Sequence, residues 1–364
     1  MQVVDVAIVG GGPAGSSCAA FCAAAGLRVA LLEREKFPRE KVCGACVNPA
    51  CLPVLDRLGL ADNIETWPHA FAAAVDFVSI NGRRVRAHLP DSRARMVTIK
   101  RSVFDDQLLQ RAQALGAALH EQSTVIGLHQ TRDRDWKIDI VHDTLLARIV
   151  VGADGRNSTI ARLCNLLPRP ERERIALQAH VPLPRDFGNR IVLQFLPEGY
   201  SGQAPVNDHE LNLCLVGTAP TIASLRSWAE REFNLPNDQQ WRTITPLTRA
   251  PVSVAHENLF FIGDAAQVVE PFTGEGIYYA LRSGELAANA IVKIFHGEDR
   301  RSVVNNLVRA HRAMYRGRLW INRCARAAVL HPRVASRLLE ATTMSGPVLR
   351  FLTKKIVRGS DAPP

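Results

Sequence analysis

The feature that most limits the fold is an apolar run that ends in a glycine-rich turn. Val3 to Val9 is rich in β-branched residues, as strands buried in a parallel sheet are, and Gly10-Gly11-Gly12-Pro13-Ala14-Gly15 follows it directly. Small residues from Ser16 to Ala25 predict a helix, and Leu27 to Glu33 predicts a second strand. Because the GxGxxG pattern lies between a strand and a helix, the sequence predicts a βαβ unit.

This unit has the features of a dinucleotide site. Gly10 permits the tight turn, Gly12 lets the backbone approach a pyrophosphate, and Gly15 lets the helix pack closely on the strand. The helix N-terminus offers free N–H groups to phosphate. Glu33 ends the second strand 18 residues after Gly15, where it is placed to accept hydrogen bonds from ribose hydroxyls. A carboxylate there repels a 2′-phosphate, which excludes NADP but leaves both NAD and FAD.

Two later apolar strands each end in glycine and aspartate. Arg148 to Gly152 runs into Ala153-Asp154-Gly155, and Asn258 to Ile262 runs into Gly263-Asp264. Two more carboxylates exceed what one NAD site requires, and that of Asp264 can meet a ribityl hydroxyl, so the pattern favours FAD. The loop from Pro271 to Ile277 adds glycines that let main-chain N–H groups approach a flat ring.

These strands are far apart in the sequence, so one FAD-binding domain is predicted to be assembled from residues 1–75, 97–170 and 250–295. Alternating apolar and polar residues between about 175 and 220 predict an antiparallel sheet, and we assign residues 76–96 and 171–249 to this substrate-binding domain. Residues 296–364 have helical spacing. The predicted fold class is α/β: a Rossmann-like FAD-binding domain interleaved with an antiparallel-sheet substrate domain, with a helical C-terminus.

The motifs together resemble the FAD-dependent monooxygenase and reductase superfamily with the p-hydroxybenzoate hydroxylase-type fold. Four signatures occur in order: the glycine turn with Glu33, Arg101-Ser102-Val103-Phe104-Asp105, Gly152-Ala153-Asp154-Gly155, and Gly263-Asp264. Within that superfamily, two segments are similar to the geranylgeranyl reductase family: Lys41-Val42-Cys43-Gly44, and Pro271 to Ala280 followed by Ser283-Gly284. The resemblance spans residues 5 to about 290.

The resemblance implies a non-covalent FAD extended across the N-terminal domain. Arg101 would approach the cofactor, backbone near Val125 would face the adenine, Asp264 would meet the pyrophosphate–ribityl region, and Gly274 to Ile277 would meet the isoalloxazine. The chain contains no second GxGxxG, so NAD(P)H or another electron donor would bind transiently. The full set assigned to the cofactor is Gly10, Gly12, Pro13, Ala14, Gly15, Glu33, Arg34, Lys41, Cys43, Gly44, Arg101, Val125, Asp154, Gly155, Gly263, Asp264, Gly274, Glu275, Gly276 and Ile277.

Two residues are candidates for catalysis. Cys43 lies beside the flavin by resemblance and is a candidate proton donor or gate; alternatively, it is a small buried residue that shapes its loop. Tyr200 is a candidate hydrogen-bond partner of the substrate; alternatively, it is a sheet tyrosine with a hydrated hydroxyl. In archaeal relatives a Tyr-x-Trp-x-Phe-Pro segment lines the lipid pocket, whereas the two large aromatic positions are Gly202 and Ala204 here. A smaller lining could accept a bulkier ligand.

Three functions follow as hypotheses. The first is a reductase of the geranylgeranyl reductase family that saturates C=C bonds of a hydrophobic prenyl or lipid-like substrate. The second is an NAD(P)H-dependent flavin monooxygenase that hydroxylates an aromatic or polyketide substrate. The third is a non-catalytic prenyl-binding protein like the GDP-dissociation inhibitors. The tryptophan-rich Trp-x-Trp-x-Ile-Pro segment of halogenases does not occur, which argues against halogenation.

Composition and charge indicate what to expect of localisation, partners and metals. We expect no transmembrane helix, because no stretch of 18 apolar residues occurs. We expect no signal peptide either, because the first apolar run has no basic flank, and the protein is then expected in the cytoplasm. A monomer is expected. The net charge is +10, but without a nucleic-acid-binding motif we expect no nucleic-acid partner. No second ligand pair accompanies Cys43 and Cys46, so we expect no metal. Arginines and apolar residues mix between Arg300 and Arg358, which suits peripheral membrane contact or an ordinary amphipathic helix on the core.

Overall fold

The computed structural model describes residues 3–89, 96–170, 174–316 and 319–341. The strands are β1 (Val3–Val9), β2 (Val29–Leu32), β3 (Cys46–Val47), β4 (His69–Ala72), β5 (Ala74–Val78), β6 (Arg84–His88), β7 (Met96–Ile99), β8 (Ala118–His120), β9 (Val125–Gln130), β10 (Trp136–Ile140), β11 (Asp143–Gly152), β12 (Arg174–Pro182), β13 (Arg190–Leu196), β14 (Gly199–Pro205), β15 (Glu210–Thr218), β16 (Arg242–Ile244), β17 (Ala255–His256) and β18 (Leu259–Phe261).

The helices are α1 (Pro13–Ala24), α2 (Leu52–Arg57), α3 (Arg101–Ala114), α4 (Thr159–Leu163), α5 (Ile222–Glu232), α6 (Gly276–Phe295), α7 (Arg300–Met314), α8 (Leu319–Leu330) and α9 (Pro332–Ala341). Short 3₁₀ turns occur at Pro49–Cys51, Ile64–Thr66, Gly263–Ala265 and Pro271–Thr273. No helix in these described ranges is long and apolar enough to cross a membrane.

The predicted parallel sheet is present. Strand β1 lies between β2 and β11 and pairs with both in parallel, β18 pairs in parallel with β11, and β8 pairs in parallel with β2. The antiparallel strands β9 and β10 extend the sheet from β11, and β17 extends it from β18. The three strands that the sequence placed before glycine turns are therefore neighbours, and their carboxyl ends meet at one edge.

A second, seven-stranded sheet has the order β16-β12-β15-β14-β13-β5-β6. Its pairs are antiparallel except for β13 and β5, which run parallel. A third, small sheet has the strand order β3-β7-β4. The predicted fold class is thus confirmed. The predicted domain boundaries stay a prediction.

Backbones approach very closely where α1 begins. A Cβ on Gly15 would overlap the carbonyl oxygen of Gly10, and one on Gly10 would lie 2.6 Å from the carbonyl oxygen of Ala153. Helix α6 crosses α1 just as closely, because a Cβ on Gly284 would overlap the carbonyl oxygen of Ala14. The Ser17 hydroxyl donates to the Leu281 carbonyl across the same crossing, at 3.0 Å. Glycine at these positions therefore lets α1, β11 and α6 meet.

Replacing Gly284 with alanine tests this crossing. In an isolated helix the change would be favourable by about 1 kcal/mol. Here the added methyl group must push α6 away from α1, and such overpacking costs about 1–3 kcal/mol. We expect a lower free energy of unfolding in a denaturant titration. Asn289→Ala, at an exposed position of the same helix, is the matched control and should unfold like the parent or be slightly more stable, because alanine favours the helix without any new contact. A Gly284→Ala protein as stable as the control would contradict the packing argument.

Candidate functional site

The site is a cavity of about 590 Å³ that runs from the N-terminus of α1 to the seven-stranded sheet. Loops at the carboxyl ends of the parallel strands line one part of it, and side chains of β5, β13 and β14 line another. Helices α8 and α9 supply part of the wall. Of the predicted site residues, the cavity is lined by Gly12, Pro13, Ala14, Lys41, Cys43, Gly44, Arg101, Gly155, Tyr200, Gly263, Asp264, Gly274, Gly276 and Ile277.

The other predicted residues lie outside the lining, each with its own surroundings. Gly10 and Gly15 are in the tight packing beneath the turn. Arg34 is exposed and pairs with Glu35 at 3.5 Å. Val125 is buried at the start of β9. Their proposed contacts with a cofactor stay predictions.

Glu33 closes the glycine turn. Its Oε2 accepts a hydrogen bond from the Gly11 N–H at 2.7 Å, and its Oε1 accepts one from the Glu35 N–H at 3.0 Å. The side chain is buried, so the two main-chain donors hold its carboxylate against the turn. Glu33 is expected from the sequence to accept hydrogen bonds from ribose hydroxyls. In the structure its carboxylate also fixes the glycine turn. Each carboxylate oxygen retains acceptor capacity for such a hydroxyl.

Asp154 caps a helix. Its Oδ2 accepts hydrogen bonds from the N–H groups of Thr159 and Ile160, at 2.6 and 3.1 Å, and so stabilises the start of α4. Its Oδ1 is buried and has no hydrogen-bond partner among the described residues. Burial raises the pKa of the carboxyl group, against the hydrogen bonds that lower it. Asp154 therefore organises the loop that carries the lining residues Gly155 and Arg156.

Arg156 is a site residue that the sequence argument missed. Its Nη2 pairs with Asp264 Oδ2 at 3.0 Å, and both side chains are largely buried. Its Nε and Nη1 are buried without a hydrogen-bond partner among the described residues. Because buried guanidinium donors are costly to leave unpaired, they indicate an oxygen-rich ligand in the cavity. Its position directly after Asp154-Gly155 is the sequence feature that could have identified it as a site residue.

A group of cations lies beside this pair. Arg101 donates to Asp105 through two hydrogen bonds, of 2.7 and 2.6 Å, and Arg39 pairs with the same carboxylate at 3.0 Å. Lys41 has no ion-pair partner among the described residues. Burial, together with the charges of Arg101 and Arg39, lowers the pKa of its ammonium group to about 8. The cavity therefore has an excess of positive charge next to the glycine turn, which suits an anionic group.

The loop before α6 is held from two sides. A buried ion pair of 2.7 Å joins Glu270 to Arg174 on β12. Asn322 on α8 accepts a hydrogen bond from the Glu270 N–H at 3.1 Å and donates one of 3.4 Å to Glu275. Glu275 is buried and bonded to α8, so it braces the loop instead of lining the cavity. Gly274 has φ +67°, which glycine adopts without strain. Main-chain groups of this loop thus face the cavity in a fixed conformation.

Three cysteines line the same part of the cavity. The Cys43 carbonyl accepts hydrogen bonds from Asn212 Nδ2 at 3.0 Å and from Cys214 Sγ at 3.3 Å, which fix its loop to β15. Cys43 and Arg101 both line this part of the cavity. Burial raises the pKa of Cys46 to about 12, so that thiol stays protonated and unreactive. Cys43 is half-buried and remains the candidate among the three for proton transfer.

Tyr200 lies inside the cavity wall. It is 4% exposed, and its ring meets Phe272 edge to face at a centroid distance of 5.1 Å. Tyr200 is therefore a buried residue of the cavity wall, and its hydrogen bond to the substrate stays a prediction. Burial raises the pKa of the phenol well above its usual value, so the group is a neutral donor. Gly202 and Ala204 follow on the same face of β14, and both line the cavity.

The residues present fit FAD. The N-terminus of α1 presents main-chain N–H groups beside Gly12, and Lys41 and Arg156 supply cationic groups for a pyrophosphate. Asp264 is the hydroxyl acceptor expected beside a ribityl chain, and Gly274 to Ile277 leave exposed backbone for a flat ring. Among the described residues, no three His, Cys, Asp or Glu side chains are grouped to hold a metal.

Comparison with known proteins agrees with this fit. The FAD binding domain family matches residues 3–185, half of the chain. The chain is 30% identical over 313 residues to a menaquinone reductase of Mycolicibacterium smegmatis, covering 78% of this chain and 75% of that protein. It is 29% identical over 312 residues to a geranylgeranyl diphosphate reductase of Rhodobacter capsulatus, covering 79% and 74%. The chain thus spans about three quarters of the length of these two relatives, and 65% of the length of a further one, conditioned medium factor receptor 1 of Dictyostelium discoideum, to which it is 29% identical.

Among solved structures, a triple mutant of the flavin-dependent brominase Bmp2 superposes with a TM-score of 0.79 at 19% identity, covering 97% of this chain and 95% of that one. At this identity the match supports the fold alone. The sequence relatives and the cavity of the present structure agree on the cofactor. The chain is an enzyme of the FAD-binding domain family, an FAD-dependent oxidoreductase of the type that includes the geranylgeranyl and menaquinone reductases.

Proposed function

We propose that this oxidoreductase reduces C=C bonds in a hydrophobic substrate that carries a prenyl chain. The observation that supports this most is the continuity of the cavity from the cationic, glycine-rich end to a long apolar part. The apolar part is lined by side chains that include Val75, Phe77, Leu89, Ile191, Leu193, Phe195, Leu247, Ala328 and Leu339. A polar substrate would leave this apolar surface without complementary contacts, whereas an isoprenoid chain matches it in polarity.

The polar groups of the apolar part are few. Gln203 and the buried Tyr200 hydroxyl lie on β14 within the lining. They suit one polar head group, such as a quinone carbonyl, better than a uniformly polar ligand. The two relatives point in the same direction, since one is a menaquinone reductase and the other a geranylgeranyl diphosphate reductase.

When bound and reduced, FAD supplies two electrons and a proton to the alkene. The chain must position the substrate, exclude water and deliver the second proton. We assign the delivery of the second proton to the thiol of Cys43. The main-chain carbonyl of this residue is fixed by Asn212 and Cys214. Tyr200 orients the head group. Arg101 and Lys41 hold the anionic cofactor. NAD(P)H or another donor would bind transiently to reduce the flavin.

Product masses distinguish reduction from hydroxylation. The FAD-loaded protein is reduced with dithionite under anaerobic conditions and given a menaquinone with an unsaturated side chain. Dithionite also reduces the quinone ring to the quinol, so the products are reoxidised in air before mass analysis. We then expect a quinone heavier by two hydrogens for each C=C bond reduced, and no gain in mass for the same quinone with a saturated side chain. A product that gains one oxygen atom, and only when oxygen is present, would instead support the monooxygenase alternative and contradict the reductase proposal.

Lys41 predicts a pH dependence of FAD binding. The protonated ammonium attracts the anionic cofactor, so FAD raises the pKa of Lys41 from about 8, and affinity falls as pH rises above that value. Loss of one charge should weaken binding of FAD to the apoprotein by about fivefold between about pH 7 and about pH 9. Flavin fluorescence measures it.

Two variants control this measurement. Lys41→Arg keeps its charge over the whole range and should bind FAD with little pH dependence. Lys41→Gln should bind weakly at each pH and also show a flat profile. An equal decline in all three proteins would place the titrating group elsewhere.

A further inference from the structure

Exposed apolar side chains concentrate on the last two described helices. Among the described residues, six large apolar side chains are exposed, and three of them are on α8 and α9: Trp320 at 42%, Val334 at 57% and Leu338 at 61%. Val334 and Leu338 are one turn apart on α9 and therefore share a face. Scattered exposed apolar residues need no explanation, but this grouping on adjacent helices does.

The opposite side of α9 is fixed to the protein. Ser336 is buried and accepts a hydrogen bond from the Ile80 N–H at 2.8 Å, which ties the helix to the end of β5. Ala335 and Leu339 face the cavity. The outward direction of Val334 and Leu338 is therefore set by the packing of the helix.

The same face is strongly basic. Arg323, Arg333 and Arg337 are exposed, and Arg326 is half-buried. The acidic residue of α8 and α9 is Glu340, which accepts hydrogen bonds from Ser336 at 3.0 Å and from Asn81 at 2.9 Å. Glu340 therefore leaves Arg323, Arg333 and Arg337 without an acidic partner on α8 or α9 in the described part of the chain. Apolar side chains flanked by arginines are typical of helices that lie in the interface of an anionic bilayer.

The cavity opens at this face. Trp320 and Leu338 are both exposed and part of the cavity lining, so they form its rim. A prenyl chain that entered here from a bilayer would pass from lipid to the apolar lining without crossing water. The position of the rim thus joins the basic, apolar face to the interior.

We propose that this basic mouth, formed by Trp320, Val334 and Leu338 with Arg323, Arg333 and Arg337, docks on the surface of an anionic lipid bilayer and receives the substrate from it. Helices α8 and α9 lie in the plane of the interface, with the arginines at the phosphate groups. The purpose of this docking rests on the proposed function, but the docking itself is measurable without turnover.

Vesicle co-sedimentation tests the docking surface. The FAD-loaded full chain is mixed with vesicles of phosphatidylcholine alone or with phosphatidylglycerol added. We expect sedimentation with the anionic vesicles that weakens with salt, and little with the neutral ones. Arg333→Gln with Arg337→Gln should lower the partition coefficient by an order of magnitude or more, since each arginine contributes about fivefold.

Val334→Glu tests the apolar contact, and Ile126→Glu is its matched control, because Val334 and Ile126 are both 57% exposed and Ile126 is on β9. Val334→Glu should lose vesicle binding, whereas Ile126→Glu should retain it. Flavin content and circular dichroism verify that each variant is folded.

Three results would overturn the proposal: no binding of the parent to anionic vesicles, equal losses in Val334→Glu and Ile126→Glu, or a dimer in solution that Val334→Glu dissociates. The last would assign the face to a second copy of the chain. Substrate dispersed in detergent separates this proposal from the proposed function. Reduction there without vesicle binding contradicts the docking alone, and vesicle binding without reduction contradicts the reaction alone.

Discussion

The whole site depends on the contact of three chain segments through residues that have no side chain. Gly10 lies against Ala153, the residue directly after β11, and Gly284 of α6 lies against Ala14 of α1. Gly263 joins the same contact, since a Cβ there would be 2.9 Å from the Ala14 Cβ. This packing brings the N-terminus of α1, the Asp154 loop and the Asp264 loop to one edge of the sheet. Without it the cationic groups and the loop before α6 would not face a common cavity.

The second constraint is the attachment of that loop to the rest of the molecule. Glu270 is paired with Arg174 of the seven-stranded sheet and bonded to Asn322 of α8. The loop that would face the isoalloxazine is therefore connected both to the sheet and to a helix that walls the cavity. A displacement of α8 would act on this loop through the hydrogen bonds of Asn322. These hydrogen bonds link a helix that walls the cavity to the loop before α6.

Local patterns in the sequence were sufficient to predict the parallel sheet, the glycine turn with Gly12 to Ala14 and the turn that carries Asp264, because strand, turn and helix propensities are local. Lys41 and Cys43 were expected near the site only from the resemblance to a family. Contacts between distant residues were not predictable in this way. Arg156 next to Asp264, Asn322 next to Glu270 and the cap formed by Asp154 depend on tertiary packing. The role of α8 and α9 as a cavity wall was likewise hidden, since an amphipathic pattern does not specify what its apolar face covers. Residues 342–358 of the predicted helical, arginine-rich region lie outside the described part of the chain.

The central claim is that cofactor and substrate occupy one continuous cavity. The most direct measurement is the absorbance spectrum of the oxidised, FAD-loaded protein during titration with a prenylated quinone and no reductant. We expect a saturable change in the flavin bands, because the substrate packs beside the cofactor. Gly202→Trp should abolish that change while flavin content stays the same, since its indole would occupy the cavity. Quinone binding by equilibrium dialysis without any change in the flavin spectrum would contradict the claim.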